Sequence, residues 1–442
     1  MNQSNPVTWR THYALFMLAT IYVFNYIDRQ LMAILIEPVK LEFGISDTQI
    51  GLLSGVTFAV FYTVFGFPLG RLSDRIGRKP VIAFSCIAWS LMTMLCGMAG
   101  NFLTLVLARI GVAVGEAGGT APSVAMVSDL YPANRRSTAL SVLMLGSSLG
   151  AIVGLGLGGW IAQHHGWRFA FLLIGAPGIV LGLILLLTVR TPKAVVPLSS
   201  VALLQDGWLK TLVELFRMPS FVWLVLTGGV AAIAGYAIGT WSPSFLIRSH
   251  GLNMQEAGFL VGVVGGSGAT IGTLLCGMLT DRLARRDVAW QIGVPLLGTL
   301  ISIPFALTYF LWPQGTAFHI GSIAVPQAFL FYSAFSFFGV WWATPCLSAI
   351  THLFPATRLA QATAIFVMSM TLLGVGVGPL FVGMLSDFFV PTLGSESLRY
   401  ALASSVSMLV LASVFLTLAL PRYRQQMKCP APLATPVRAA TA

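Results

Sequence analysis

A short basic turn occurs twice in this chain, and no other feature of the sequence constrains the fold as strongly. The first copy is Gly70–Lys79, and the second, 207 positions later, is Gly277–Arg286. Each copy begins with glycine, carries one aspartate among several arginines, and lies between two long apolar segments. Matching turns half a chain apart indicate internal repeats. The repeat therefore predicts two homologous membrane bundles.

The composition is that of a membrane protein. Hydrophobic residues make up 56% of the 442 residues and charged residues 9%, with a mean hydropathy of +0.84, so the chain cannot form a water-soluble surface. A helix crosses a bilayer with about 20 apolar residues, so the length allows about twelve spans with short connections. The predicted spans are 11–36, 48–70, 80–99, 102–127, 137–162, 168–190, 221–247, 255–278, 289–311, 324–350, 361–387 and 398–420.

Helix-start signals support three of these spans. Ser46 followed by Gln49, and Asn253 followed by Glu256, are typical of capping boxes, and Asn101 is a candidate cap. The first apolar stretch is too long for a cleavable signal sequence, so we expect it to remain in the membrane.

A second repeat predicts the domain boundaries. Asp129–Arg135 is echoed 223 positions later by His352–Arg358. Residues 1–190 and 221–420 are therefore predicted to form N-terminal and C-terminal six-helix bundles. Residues 191–220 form a cytoplasmic linker whose apolar face predicts an interfacial helix, and residues 421–442, rich in Pro, Ala and Thr, are predicted to be disordered.

The distribution of charge predicts the orientation. With both termini in the cytoplasm, 19 of the 25 Lys and Arg residues fall on the cytoplasmic side and four on the outer side, as the positive-inside rule requires. The membrane thus accounts for the net charge of +11, and no nucleic-acid partner is needed.

The cysteine spacing suits neither a zinc site nor a disulfide framework. Compact tails and short loops favour a bacterial inner-membrane protein.

The repeated turn resembles the signature loop of the major facilitator superfamily, which joins the second and third helices of each half. The resemblance implies an all-α membrane protein with twelve transmembrane helices in two pseudosymmetric six-helix bundles, and transport by alternating access. Within the superfamily, Asn25–Arg29, Asp47–Leu53 and Arg109–Ala117 are similar to signatures of the spinster-like branch. Animal members of that branch move sphingosine-1-phosphate or lysophospholipids.

Four charged residues lie inside the first and fourth predicted spans, where charge is costly and usually functional. They are Asp28 and Arg29 in the first span, and Arg109 and Glu116 on one face of the fourth. The resemblance implies that Asp28, Arg109 and Glu116 surround one aqueous cavity. We interpret Asp28 and Glu116 as the proton-coupling pair and Arg109 as the anchor of an anionic head group, with Arg29 second. The alternative is an ion-pair cluster that only ties the two spans together.

The C-terminal half is predicted to supply an aromatic surface to the same cavity. Its seventh and tenth spans carry aromatic residues and almost no charge. Such a stripe fits either a wall for an apolar tail or simple packing. A charged half facing an aromatic half suits an amphiphile better than a sugar. With the two arginines, the predicted substrate-binding residues are Tyr26, Tyr236, Thr240, Trp241, Phe335, Phe338 and Trp342.

The paired basic turns are predicted to gate the cytoplasmic face. Asp74 is expected to approach the start of the eleventh span, where a helix dipole favours a carboxylate. Asp281 is expected to do the same at the fifth span. The alternative is that the basic residues only hold the turns in the cytoplasm. The predicted gating residues are Asp74, Arg75, Arg78, Asp281 and Arg282.

These observations predict a proton-coupled secondary transporter of amphiphilic, lipid-like organic anions, with protons as the coupling ion, no other cofactor, and a monomeric state. A multidrug/proton antiporter is the alternative within transport, although Leu155 stands where the corresponding antiporter motif has proline. A non-transporting lipid receptor on the same scaffold is the alternative of another class. The chain has no Walker loop, metal-spaced His/Cys set or serine elbow, so we do not expect an enzyme.

Overall fold

The computed structural model describes residues 7–190, 208–315, 317–320 and 323–428. Within these residues the chain forms twelve long helical segments, here called spans 1 to 12. In order they are Trp9–Ile34, Asp47–Ile76, Arg78–Gly97, Phe102–Leu130, Ala133–His165, Trp167–Thr188, Pro219–His250, Met254–Ala284, Trp290–Leu311, Phe329–Leu353, residues 356–393 and residues 397–428. Shorter helices cover Ile36–Phe43 and Trp208–Phe216.

These segments have the dimensions of membrane helices. By length and composition, ten helical stretches in the described part of the chain could cross a membrane, and the last, Arg358–Lys428, comprises spans 11 and 12. Span 1, which has 26 residues and carries Asp28 and Arg29, completes the set. The helical architecture expected from the sequence is therefore observed.

The predicted caps are confirmed. Ser46 Oγ accepts from the Gln49 amide, and the Gln49 side chain accepts from the Ser46 amide, where span 2 begins. The Asn101 side chain caps span 4 in the same way. Asn253 and Glu256 form a reciprocal capping box at the start of span 8. Local side-chain chemistry thus satisfies amides that a helix start leaves unpaired.

At one end of the bundle, glycine residues of one half lie directly against the backbone of the other half. A Cβ atom on Gly55 of span 2 would lie 2.4 Å from the Gly376 oxygen of span 11, and one on Gly258 of span 8 would lie 2.2 Å from the Leu155 oxygen of span 5. Only glycine permits such approaches. We call this end, which contains residues 37–48, 248–258 and 380–387, the closed end. The opposite end contains the two basic turns, where Asp74, Arg75, Asp281 and Arg282 are exposed, and we call it the open end.

Several of the twelve spans depart from regular α-helix. Spans 2, 8 and 11 contain π-helical stretches at Leu52–Val56, Leu260–Gly265 and Met370–Val377. Span 10 is interrupted between Phe338 and Ala343. Insertions of this kind change which face a helix presents and are frequent at functional sites.

Some predicted boundaries need correction. The chain is not disordered from residue 421, because span 12 continues to Lys428. Tyr423 Oη donates a hydrogen bond to Gln291 of span 9, and Arg424 forms a 2.6 Å ion pair with Asp287. These contacts keep residues 421–428 helical, although their composition alone predicts disorder. The rest of the predicted tail, and linker residues 191–207, lie outside the described residues.

The sequence also missed a small hairpin before span 10. Strands Ala317–Ile320 and Ile323–Pro326 pair antiparallel, so span 10 begins at Phe329 instead of at residue 324. The strands contain too few residues for a clear alternating pattern, and their apolar composition resembles that of the adjoining span.

Candidate functional site

A cavity of about 370 Å³ lies between the two halves. One side is formed by spans 1, 2 and 4, and the other by spans 7, 10 and 11. It continues into a smaller cavity of about 90 Å³, and Arg29 and Tyr236 are among the residues that line both parts. We call the two parts together the central cavity.

Asp28 and Arg109 form a buried ion pair, and Arg109 also lines the smaller part of the central cavity. Arg109 Nη1 lies 3.6 Å from Asp28 Oδ1, and each residue is 2% exposed. Thr93 Oγ1 of span 3 donates a 2.5 Å hydrogen bond to Asp28 Oδ2. The predicted association of Asp28 with Arg109 is therefore present, and Thr93 is a third member that the sequence did not indicate.

Glu116 pairs with Arg29 instead of sharing Arg109. Arg29 Nε donates a 2.6 Å hydrogen bond to Glu116 Oε2, and Glu116 is fully buried. Asp28 and Arg29 are consecutive residues that point about 100° apart around span 1, whereas Arg109 and Glu116 lie about 10 Å apart along span 4. The predicted single cluster is thus two ion pairs, Asp28–Arg109 and Arg29–Glu116, stacked along the interface of spans 1 and 4.

Arg29 is the arginine that faces the main cavity. Its side chain is 22% exposed, and its guanidinium carbon lies 5.3 Å, 5.0 Å and 4.9 Å from the ring centres of Tyr26, Phe58 and Tyr62. Rings at these distances favour a cation between them. Phe58 and Tyr62 were missed because the resemblance directed attention to spans 1, 4, 7 and 10. Their spacing of four residues on span 2 was the available signal.

Several buried polar atoms of this cluster lack hydrogen-bond partners within the described residues. Such atoms are costly unless water, a proton or a ligand satisfies them. Asn25, one turn before Asp28, belongs to this group and was not predicted as a site residue. The atoms are Asn25 Oδ1 and Nδ2, Asp28 Oδ1, Arg29 Nη2, Arg109 Nε and Nη1, and Glu116 Oε1.

On the C-terminal side, two of the predicted residues line the central cavity. Tyr236 is 44% exposed and lines both of its parts, and Thr240 lines the smaller part. Trp241 is instead fully buried, and its Nε1 donates a 2.9 Å hydrogen bond to the Pro379 oxygen. Trp241 therefore joins span 7 to span 11 and does not line the cavity.

The aromatic stripe of span 10 packs inside the C-terminal half. Phe335 lies against Tyr332, Phe338 stacks on Phe305 of span 9, and Trp342 belongs to a buried apolar cluster. These three side chains do not line the central cavity, so the packing alternative describes them better. The interruption after Phe338 changes the face of span 10 that meets the cavity.

Spans 10 and 11 supply a different, mainly apolar wall. The sequence did not indicate these residues, because their orientation depends on the span 10 interruption and the span 11 π-helical stretch. The residues are Ala343, Thr344, Leu347, Phe366, Val367, Met370, Thr371 and Val375.

The predicted gating residues lie at the open end. Asp74, Arg75, Asp281 and Arg282 are exposed, whereas Arg78 hydrogen-bonds to Asp129 and to the Ala125 oxygen within the N-terminal half. In this conformation the described residues show no ion pair from this set to the opposite half. Their gating role is a prediction for the conformation in which this end closes.

Glu42, which lies outside the spans, has a shifted pKa. Glu42 accepts a hydrogen bond from Arg168 Nη1 at 2.5 Å and one from Trp167 Nε1 at 2.6 Å, which together lower the pKa of its carboxyl group. All three residues belong to the N-terminal half, at the closed end.

Across the described ranges, no group of three or more His, Cys, Asp and Glu side chains could hold a metal ion.

Comparison with known proteins identifies relatives along nearly the whole chain. The sequence profile of the Major Facilitator Superfamily matches residues 18–344. An "MFS-type efflux pump" of Mycolicibacterium smegmatis is 34% identical over 413 residues, covering 93% of each chain. The sphingosine-1-phosphate transporter SPNS2 of Danio rerio is 26% identical over 424 residues, covering 89% of this chain and 81% of that protein.

A solved structure has the same fold. It is a bacterial homolog of the human lysosomal transporter Spinster, in an inward-facing and unoccupied conformation, and it superposes with a TM-score of 0.83 at 29% identity. The match covers 96% of this chain and 100% of that one. The resemblance to the spinster-like branch is therefore confirmed.

Proposed function

The chain belongs to the Major Facilitator Superfamily and is a multi-pass secondary transporter, and from this premise we propose that it moves amphiphilic, lipid-like organic anions by proton-coupled alternating access. The observation that carries the proposal is Arg29, a guanidinium that reaches a cavity whose opposite wall is apolar. The proposed substrates are lysophospholipids or phosphorylated sphingoid bases, and the name of the SPNS2 relative gives one member of the second class, sphingosine-1-phosphate.

Arg29 is suited to hold the anionic head group. Its Nε is engaged by Glu116 whereas its Nη2 has no partner in the described residues. A guanidinium can bind phosphate or carboxylate through two parallel hydrogen bonds. We therefore rank Arg29 ahead of Arg109, which is almost fully buried against Asp28. The tail would lie along Leu347, Phe366 and Met370.

The same contact offers a route to proton coupling. An anion that binds Arg29 competes with Glu116 for the guanidinium. If Glu116 loses this partner, it becomes an unpaired buried carboxylate, which is unstable until it takes up a proton. Binding of substrate and binding of a proton would then favour each other, by reciprocal linkage. Asp28 and Arg109 would form a second titrating pair next to the first.

We propose that the open end faces the cytoplasm of a bacterial cell. The basic turns after spans 2 and 8 lie at this end, as the positive-inside rule favours for a cytoplasmic face. The conformation is then inward-facing, like that named for the Spinster homolog.

Flux into proteoliposomes under an imposed pH gradient tests the proposal. The panel would include anionic lysolipids of several chain lengths and cationic amphiphiles of matched length. Gradient-stimulated flux of the anionic compounds is expected. Binding without flux would instead identify a lipid receptor.

A multidrug/proton antiporter is the second candidate, because the relative from Mycolicibacterium smegmatis is described as an efflux pump. A cationic drug usually needs a free carboxylate or an aromatic cage. Here Asp28 and Glu116 are each already held by an arginine. Flux of the cationic compounds alone would favour this candidate over ours.

A further inference from the structure

A charged network closes the end of the molecule opposite the basic turns. Arg248 of span 7 donates to Asp47 through Nη1 at 2.8 Å and through Nη2 at 2.9 Å. Its Nε also lies 2.9 Å from both carboxylate oxygens of Glu37. One guanidinium of the C-terminal half is thus held by two carboxylates of the N-terminal half.

Asp47 is the centre of this network. It is 1% exposed, and it also accepts a 2.5 Å hydrogen bond from Lys40 Nζ and a 2.7 Å hydrogen bond from Ser386 Oγ of span 11. A carboxylate with this many donors is well compensated for its burial. Opening this end would expose Asp47 and break its bonds to Arg248 and Ser386.

The start of span 2 is capped by a side chain of the other half. The Asp387 carboxylate of span 11 accepts hydrogen bonds from the backbone amides of Asp47, at 3.1 Å, and Thr48, at 2.8 Å. These are two of the amides that a helix start leaves unpaired, and the helix dipole adds to their attraction for a negative charge.

The other pair of spans has a matching but neutral contact. Gln163, near the end of span 5, accepts a 3.2 Å hydrogen bond from the backbone amide of Met254 at the start of span 8. Spans 5 and 8 correspond to spans 11 and 2 under the internal repeat. Each half therefore caps a helix of the other half, once with a carboxylate and once with an amide.

We propose that Asp387 and Gln163 are matched gate residues of the closed end, and that the Asp47–Arg248 pair is the ionic lock on the Asp387 side. Both caps break when this end opens. Charge-assisted bonds are about twice as strong as neutral ones, so the Asp387 side controls the opening. The inference deepens the proposed function because it rests on alternating access, but it does not depend on the substrate.

Distances between spin labels on the two halves test this gate. Labels at Leu41, which is 82% exposed, and at Thr392, which is also exposed, report on the closed end. Cys429 is replaced by serine so that it takes up no label. Asp387→Asn is expected to raise the population with this end open by roughly fivefold or more, because the charge at the helix start is lost. Gln163→Met removes the neutral cap at nearly constant size, and a smaller rise is expected.

The chain offers a matched control at the same end. Glu42 is bound by Arg168 and Trp167, all within the N-terminal half. Glu42→Gln therefore removes a carboxylate without touching a contact between halves, and the distance distribution is expected to stay unchanged. If Asp387→Asn does not fold, Ser386→Ala, which loses one hydrogen bond to Asp47, is expected to shift the distances in the same direction.

The inference is wrong if Asp387→Asn and Ser386→Ala fold but keep the wild-type spin-label distances. It is also wrong if Glu42→Gln shifts these distances as much as Asp387→Asn does. The substrate proposal fails by a different outcome. If no lysolipid is transported while the distances shift as expected, the gate stands and the proposed substrate class is wrong.

Discussion

Arg29 of span 1 donates a 2.6 Å hydrogen bond to Glu116 of span 4 and so joins these two helices next to the central cavity. Glu116 is fully buried, whereas Arg29 is partly open to the cavity. A ligand can therefore reach the arginine but not its carboxylate partner. Under the proposed function, Glu116 would then respond to the substrate without touching it.

Glu116→Gln should abolish the pH dependence of transport. Glutamine can still accept the hydrogen bond from Arg29, but it cannot take up a proton. We expect downhill exchange to continue while accumulation driven by a pH gradient falls to the level seen without a gradient. The measurement is lysolipid uptake into proteoliposomes across a series of external pH values. An unaltered pH profile in this variant would place the coupling proton elsewhere.

Asp28→Asn should lower stability as well as coupling. The substitution leaves Arg109 buried without an opposing charge, and breaking one partner of such a pair costs about 3–5 kcal/mol. Thr93→Val is the matched control, because it removes only the hydrogen bond to Asp28 and should cost about 1–3 kcal/mol. Thermal unfolding in detergent compares the two, and equal losses would show that the Asp28 charge contributes little to stability.

Arg29→Lys should weaken the binding of anionic substrates more than Arg109→Lys does. Lysine keeps the charge but cannot form two parallel hydrogen bonds, so we expect roughly a tenfold loss of affinity at position 29. Titration with a fluorescent lysolipid measures both variants. A larger loss at Arg109 would restore the ranking expected from the sequence, in which Arg109 is the principal anchor.

Met370→Ala should shift the preference towards longer acyl chains. Met370 lines the apolar wall, so its truncation makes room for further methylene groups, each worth about 0.8 kcal/mol when buried. Met384 lies on the same span with its side chain 54% exposed, and Met384→Ala is the control that should leave the preference unaltered. Competition between lysolipids of increasing chain length provides the readout. The same shift in both variants would argue against a tail site at this wall.

Asp74→Asn should favour the conformation seen here. Asp74 is exposed at the open end, and we expect it to bond across the halves only when that end closes. Losing the Asp74 charge should then reduce the population in which the open end has closed by about two- to fivefold. This range corresponds to the free energy that a charge contributes at a helix start. Spin-label distances across the open end report the change. Asp287→Asn, which disrupts only the ion pair with Arg424, is the control that should have no effect.

Much of the fold could be predicted because its signals are local. The capping pairs that start spans 2 and 8 involve residues three positions apart, and the repeated turns lie at matching places in both halves. Span lengths follow from the thickness of the bilayer. Prediction failed where distant contacts overrode a local pattern. At Pro421 the helix continues because Tyr423 bonds to Gln291 of span 9 and Arg424 to Asp287, which precedes that span.

The sequence by itself determined which charged residues lie inside spans 1 and 4, because charge there is rare enough to identify Asp28, Arg29, Arg109 and Glu116 without a structure. Only the tertiary structure decided their pairing. The rise along span 4 separates Arg109 from Glu116, so each reaches a different residue of span 1.

The walls of the cavity and the closed end were also decided by tertiary structure. The interruption of span 10 directs Phe335 and Phe338 into packing, and the approach of span 11 to span 2 brings Asp387 to the amides of Asp47 and Thr48. Residues 47 and 387 are 340 positions apart, and no local pattern relates them. Periodicity and composition report on neighbours along the chain, whereas a contact between halves depends on how whole helices are placed in space.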